Sequence, residues 1–392
     1  MSRLAADLEA DETRIAPDAH VLIDAAAEVA DRCAAVADEV DRPGAFPSRE
    51  FAWLAESGLL EAPLRRDLGG QGLGSEPGGM LPLLRILKRI GRGNLAVGRL
   101  YEGHVNALLL IQEFGTEAQV ESYAADARAG LRFAVWNTEG ADPVRFLPLE
   151  GGRVRVEGAK TFASGAGQIE RPILTGAVPG QPRQMAVIAS ERARLARVDP
   201  ASWTPLGMNA SASFAVDYSG VELEPGDLLG SPGDYVREPA FSGGAIRFAA
   251  VQLGGAEALF EATRAHLRAS GRADDPYQKA RLGEQAIAIE AGNLWLLGAA
   301  RSAEDAAASP EAVVAYANMV RTAIAEACET VLRLAERSVG ARGLLRPHPI
   351  ERVGRDLTTY LRQPNPDGAL AGVGRFVADR LEGPDRLWPG GS

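Results

Sequence analysis

Apolar positions recur along this chain with two different periods, and the switch between them divides it. Near the start, Leu22, Ala25, Ala26 and Val29 fall at i, i+3, i+4 and i+7, one face of a helix. The stretches 80–90 and 105–114 are also apolar and of helix length. Before them lies the loop Asp67-Leu68-Gly69-Gly70-Gln71-Gly72-Leu73-Gly74, whose glycines permit positive φ and tight turns. From residue 131 the period falls to two. Arg153-Val154-Arg155-Val156 alternates after the turn Glu150-Gly151-Gly152, and short runs follow at 173–174, 185–188 and 214–218. From residue 240 the helical period returns. Val313, Ala317, Val320, Ile324, Ala327, Val331 and Leu334 form a seam of alternating four- and three-residue steps. A further helix is predicted near 280–308, with Pro276 before it and Pro310 after it.

The pattern predicts an α+β chain in three parts. These are an N-terminal helical domain (1–130), a central antiparallel β-barrel or sandwich (131–235) and a C-terminal helical bundle (236–383). The Gly/Pro-rich tail 384–392 is expected to fray.

Composition narrows the function. The chain has 392 residues, 46% apolar and 24% charged, as in a globular protein. No apolar run approaches the roughly 18 residues of a membrane helix. The N-terminal stretch has no apolar signal core, so a cytoplasmic location is expected. Two cysteines, Cys33 and Cys328, and four scattered histidines offer neither a disulfide framework nor a local metal motif. The net charge of −10 disfavours nucleic acid. Lysine occurs only at Lys88, Lys160 and Lys279, so arginine carries nearly all the positive charge. Codon usage is the plainer explanation of the bias; guanidinium also suits bidentate phosphate binding, and composition alone does not choose between them.

Six motifs, in order, resemble those of the acyl-CoA dehydrogenase flavoprotein superfamily. They are Leu68-Gly69-Gly70-Gln71-Gly72, Phe114-Gly115-Thr116-Glu117-Ala118-Gln119, Trp136-Asn137-Thr138-Glu139-Gly140 and Gly158-Ala159-Lys160-Thr161-Phe162-Ala163-Ser164-Gly165, then Arg337-Ser338-Val339-Gly340-Ala341-Arg342-Gly343, and Pro349-Ile350-Glu351-Arg352 with Arg355-Asp356. The resemblance implies the helical, β and four-helix-bundle architecture of that family, bound FAD, a homodimer or homotetramer, and an electron-transfer partner. It places Trp136, Asn137, Thr138, Phe162 and Ser164 beside the flavin. It places Arg272, Arg337, Gly340, Ala341 and Gly343 at the adenine or pyrophosphate end of a neighbouring subunit's cofactor. Arg272 is either a ligand or a surface arginine, because Asp275 and Pro276 stand where the family has Phe and Gly; Arg281 is the fallback.

The resemblance breaks at the catalytic base. Family members remove a substrate α-proton with a buried carboxylate. Counting eight from Asp356 reaches Pro364, and the alternative position holds Ile246. Asp367 and Glu102 are the remaining carboxylate candidates. Asp367 otherwise caps a helix, and Glu102 lies in Tyr101-Glu102-Gly103, outside the family's loop. The usual Ser-Asp after the first flavin strand is replaced by Ala141-Asp142-Pro143, which weakens the case for a CoA thioester. Two active readings follow: a dehydrogenase of an acyl substrate with an unusual base, or a monooxygenase of the same fold using FMN or FAD from a reductase. The second needs hydrogen-bond donors, for which Ser164, Asn137 and His104 are candidates. His104 is otherwise a core residue, and His348 reads as structural. A third reading is a homologue that keeps the fold and has lost the chemistry.

Overall fold

A computed structural model describes residues 16–383 together with Leu387 and Trp388. Most of the tail expected to fray, 384–386 and 389–392, lies outside the described residues. The N-terminal helices are α1 (Pro17–Val40), α2 (Ser48–Glu56), α3 (Met80–Gly93), α4 (Leu95–Phe114) and α5 (Glu117–Arg128). The buried stripe of α1 runs through Ile23, Ala26, Val29, Ala30, Cys33 and Ala37, rotated from the expected one so that Leu22 and Ala25 are half-buried. Asn94 caps α4 by accepting from the Ala96 and Val97 amides at 2.9 and 3.3 Å. The Thr-Glu-x-Gln signature is a capping box on α5. Thr116 accepts from the Gln119 amide, and Gln119 accepts from the Thr116 amide. The same Gln119 side chain donates to Gly226 O and Leu228 O, both at 2.9 Å, and ties the helix to the β region.

The β region holds strands β1 (Phe133–Trp136), β2 (Arg145–Pro148), β3 (Val154–Glu157), β4 (Ala159–Ala163), β5 (Arg171–Val178), β6 (Gln181–Val187), β7 (Arg197–Asp199), β8 (Phe214–Asp217), β9 (Glu222–Leu223) and β10 (Leu228–Leu229), with a short α6 (Ser190–Ala193) after β6. It is not wholly antiparallel. One sheet runs β10-β6-β5-β2-β3-β9, and β1 joins it parallel to β5. The second sheet is β4-β8-β7, antiparallel throughout. Alternation along single strands could not reveal the parallel pairing, because it depends on which strand becomes the neighbour.

The C-terminal helices are α7 (Ala240–Ala269), α8 (Pro276–Glu304), α9 (Pro310–Val339), α10 (Pro349–Tyr360) and α11 (Pro366–Ala378). The expected four-helix bundle is thus three long helices and two short ones among the described residues. Asp275, a mismatch to the family pattern, caps α8 from the Tyr277 and Gln278 amides. On α9 Cys328 is fully buried where the seam predicted Ala327, which is half-buried.

The two helical regions share one apolar core. Leu54, Leu87 and Val97 belong to the same cluster as Val251, Leu253, Ile324 and Val331. Close approach makes this possible: a Cβ on Gly254 of α7 would stand 2.0 Å from Lys88 O of α3, so only glycine fits the crossing. The sheets enclose a second core around Phe146, Val156, Leu174 and Leu223. A third, with Leu108, Ile111, Phe133, Ile173 and Val187, glues α4 and α5 to the larger sheet. The candidate site lies along this junction.

Candidate flavin crevice

A shallow crevice runs between α4 and the ends of β1 and β4. Arg99, Leu100 and Gly103 form its helical wall; Ala134, Val135, Trp136 and Ser164 form its β wall. The sequence candidates Trp136 and Ser164 thus meet there. The Trp136 ring is buried, and its indole N–H donates to Ser164 O at 3.0 Å, so Trp136 positions the serine. Ser164 Oγ is 2.9 Å from Ser213 Oγ, which is 2.8 Å from Ser211 Oγ, which donates to Met208 O at 2.9 Å. With the Ser211 hydrogen given to Met208 O, Ser213 donates to Ser211 and Ser164 donates to Ser213, so Ser164 Oγ keeps its lone pairs, not a hydrogen, for the crevice: the donor expected from the sequence is an acceptor here.

A bulge between Lys160 and Ala163 breaks the register of β4 against β8. Phe162 sits in it with φ +52° and is 63% exposed, its ring edge-on to Trp203 at 6.0 Å. A bulky residue in left-handed backbone costs about 1–3 kcal/mol. The bulge instead presents a flat aromatic face to solvent.

The first flavin-like strand ends in a charged knot whose residues lie in two of the motifs and in β5 and β6. Lys160, fully buried, donates to Glu139 Oε1 at 2.6 Å, Asn137 O at 3.2 Å and Thr175 Oγ1 at 3.1 Å. Arg183 joins Glu139 from the other side and donates to Thr175 O at 3.1 Å. Burial pushes the Lys160 ammonium down to about 7, against the pull of the Glu139 carboxylate. Thr175 donates to Asn137 Oδ1 at 2.7 Å, and the Asn137 amide NH₂ has no hydrogen-bond partner among the described residues. Thr138 is exposed, with its carbonyl taken by the Thr161 amide. Lysine scarcity was the available signal: one of three lysines sits buried in a motif.

Other candidates land elsewhere. His104 is fully buried; its Nε2 is 2.8 Å from Leu60 O and its Nδ1 accepts from the Phe133 amide at 3.2 Å. Both nitrogens are used inside the fold, and burial pushes the imidazole down to about 4, so it is a core histidine with no donor for a ligand. Asp367 is exposed in the first turn of α11, where Asn365 holds the cap position; it lacks the burial that poises a base. Glu102 is buried, but Arg99 donates to one oxygen at 2.6 Å and Asn106 to the other. Ile246 is buried on α7, and exposed Pro364 accepts from Arg321 at 2.8 Å through its carbonyl.

Arg272 and Arg281 converge on buried Gln278. With its amide turned to suit its neighbours, Gln278 accepts from both and donates to Ser338 Oγ at 3.0 Å. Arg272 also donates to Ser338 O, just before the turn Gly340–Leu344. Arg337, Gly340 and Ala341 are exposed, and Gly343 is buried. This basic cluster is separate from the crevice lining. Among the described residues no group of three His, Cys, Asp or Glu could hold a metal, and no helix is long and apolar enough to cross a membrane.

Residues 17–130 match the family model "Acyl-CoA dehydrogenase, N-terminal domain" and residues 246–362 match "Acyl-CoA dehydrogenase, C-terminal domain". The chain belongs to the acyl-CoA dehydrogenase family. Within that family it is 26% identical to a dibenzothiophene monooxygenase of Rhodococcus erythropolis, over 89% of this chain and 91% of the relative. It is 22% identical to the mitochondrial isobutyryl-CoA dehydrogenase of Dictyostelium discoideum, over 83% of this chain and 80% of the relative. The FMN-bound dibenzothiophene monooxygenase TdsC from Paenibacillus sp. A11-2 shares the fold, with a TM-score of 0.77 at 22% identity, covering 93% and 98% of the two chains. The chain is therefore similar to proteins named for both chemistries weighed from the sequence.

Proposed function

We propose that this chain is a flavin-dependent monooxygenase that oxygenates a small molecule with flavin reduced elsewhere. The observation that carries the reading is that, among the described residues, the crevice lining holds no free carboxylate. Ile246 and Pro364 occupy the two base positions, and Glu102 has donors on both oxygens. A proton-abstracting base is what a dehydrogenase needs most. The likeness to a dibenzothiophene monooxygenase supports the same reading.

The residues present fit a flavin. Exposed Phe162 offers a flat apolar face, Asn137 a free amide NH₂, and Ser164 a hydroxyl. Bound reduced flavin supplies the two electrons with which O₂ gives one oxygen atom to substrate and the other to water. The chain's own part is to orient and protect. Ser164, its hydrogen held by Ser213 and its carbonyl by Trp136, would offer an oxygen lone pair to an N–H on the ring edge. Leu100, Ala134 and Val135 make the wall dry, and the Lys160–Glu139–Arg183 knot holds the strand ends in register. Partners in this reading are a flavin reductase and further copies of the chain as a homodimer or homotetramer. Exposed Ile287 and Leu294 on α8 and Leu370 on α11 support self-association. A cytoplasmic location agrees with the two buried free thiols.

The test is stopped-flow mixing of anaerobic, FMNH₂-loaded protein with oxygenated buffer. Slow return of the oxidised spectrum through a distinct absorbing transient is expected, and Ser164→Ala shortens the transient. Reoxidation at the rate of free flavin overturns the proposal. Bleaching of FAD-loaded protein by an acyl-CoA restores dehydrogenation, with Glu102 as the base.

A further inference from the structure

The three buried serines at the β wall of the crevice form a chain with a fixed direction. Met208 O is a carbonyl and can only accept, so the Ser211 hydroxyl gives it a hydrogen at 2.9 Å. Ser213 then donates to Ser211 at 2.8 Å, and Ser164 to Ser213 at 2.9 Å. The loop at the start of this chain is tightly held. Met208 and Ala212 both adopt left-handed backbone, with φ +63° and +43°. Residues other than glycine keep such conformations only where surrounding contacts enforce them. Here the Met208 amide donates to buried Asp356 at 2.6 Å and the Gly207 amide to Thr359 Oγ1 at 3.0 Å, both on α10. Asn209 donates to Asp41, just after α1, at 2.8 Å. Ser211 O accepts from the Gly165 amide at 2.8 Å, which ties the loop to the residue after Ser164. The helical regions thus set the far end of the chain, and the crevice receives its near end, Ser164.

The near end is a hydroxyl with lone pairs to offer and no hydrogen to give. A flavin ring changes its hydrogen-bonding character with redox state. The oxidised ring has an N–H only at N3, whereas N1 and N5 carry lone pairs. Two-electron reduction places a hydrogen on N5. An acceptor facing N5 therefore meets a lone pair in the oxidised ring and an N–H in the reduced one. The first leaves two buried acceptors opposed and the second makes a hydrogen bond. The Asn137 amide NH₂ does not discriminate in this way, because the ring carbonyls that suit it accept in both states. We propose that Ser213 and Ser211 are positioning residues that hold the Ser164 hydrogen away from the crevice, so that Ser164 faces N5 as an acceptor and the site selects reduced over oxidised flavin. This rests on the crevice being the flavin site of the proposed monooxygenase and adds to it a means of exchange. Once the ring is oxidised, the hydrogen that Ser164 accepts is gone, and replacement by fresh reduced flavin is favoured.

The experiment titrates the full flavin-free chain anaerobically with FMN and with dithionite-reduced FMN, and repeats both titrations with FAD. Reduced flavin is expected to bind more tightly than oxidised flavin, by about tenfold or more. For a two-electron couple, each tenfold raises the midpoint potential of bound flavin by about 30 mV over free flavin, which is an independent readout. Ser213→Ala frees the Ser164 hydrogen to turn toward N5 of the oxidised ring. Oxidised flavin should then bind more tightly than it does to the native chain, with reduced flavin unchanged, and the preference collapses. A merely structural role for Ser213 would weaken both forms. Ser211→Ala frees the Ser213 hydrogen and should lower the preference part of the way. Ser164→Ala should lose the preference from the other side, through weaker binding of reduced flavin. Equal affinity for the two redox states, binding of neither, weakening of both by Ser213→Ala, or a preference untouched by Ser213→Ala and Ser211→Ala overturns the proposal. Equal affinities together with the oxygen-dependent transient keep the monooxygenase and discard the selection. A preference for reduced flavin without the transient keeps the selection and discards the monooxygenase.

Discussion

Two charged groups flank the crevice with the same formal count, two cations and one carboxylate, and they are finished differently. In the knot of Lys160, Glu139 and Arg183, the ammonium makes three hydrogen bonds, and strands β4, β5 and β6 are drawn together around the end of β1. In the group of Arg99, Glu102 and Arg247, one guanidinium has its carboxylate and the other has an amide. A closed group is a structural fastening, whereas an open one keeps donor capacity that the fold itself does not use. Charge counting alone does not separate them; donor accounting does.

The largest expected effect falls on the closed knot. Lys160→Met leaves Glu139 with Arg183 and the Val144 amide and strips Asn137 O and Thr175 of a donor. Breaking a buried pair by removing one partner costs about 3 kcal/mol or more. Urea unfolding at neutral pH should show that loss, together with weakened FMN binding, because Asn137 and Thr138 lose their anchor. A loss below about 1 kcal/mol would mean that the knot is solvated and the contrast is wrong.

Next comes His104, which belongs with the closed class because both ring nitrogens are used. Burial lowers its pKa from 6.5 to about 4, so the folded state excludes a proton that the unfolded chain takes up. Stability from this group is full above pH 6.5 and is lost as pH falls toward 4. The shift corresponds to about 3 kcal/mol across that window. Chemical denaturation from pH 7 to pH 4 reads it, and His104→Gln should flatten that portion of the curve.

The fate of His104 shows what was legible in the sequence. The helical stripes, the change of period and the six motifs carry the fold, because each is local: a stripe is set by i, i+3, i+4 spacing and a capping box by four consecutive residues. The crevice wall was legible through Trp136 and Ser164 because they lie in two of those motifs. The donor ledger was not. Whether His104 has a free nitrogen depends on Leu60 and Phe133, and whether Arg247 has a carboxylate depends on Asn106 from another helix. Such pairings are made by tertiary contact between residues distant in sequence, with no local signature. Asp275 shows the converse: a mismatch to the family pattern is a good helix cap, a local role that composition alone could suggest.

A smaller effect tests the crevice wall between the two groups. Trp136→Phe keeps the apolar ring but removes the N–H that holds Ser164 O at 3.0 Å. One neutral hydrogen bond is worth about 1 kcal/mol net, and the buried carbonyl left behind adds to the cost. Unfolding should report about 1–2 kcal/mol. If Trp136 only positions Ser164, the variant should also shorten the oxygen-dependent flavin transient in the same direction as Ser164→Ala. A shift in stability without one in the transient would separate the wall from the chemistry.

The smallest expected effect is the sharpest test of the contrast. Tyr360→Phe deletes a hydroxyl that is buried within electrostatic reach of Arg99 and Glu102 and has no partner among the described residues, so no hydrogen bond among them is lost. The unfolded chain loses hydration of that hydroxyl, which favours folding. The net change should therefore lie between zero and about 1 kcal/mol in favour of the variant. Urea midpoints of the two proteins, measured without ligand, decide the sign. A destabilised variant would show that the hydroxyl has a partner in the folded protein and that the open group is closed after all. A stabilised one would show that the native chain keeps a buried donor at its own expense.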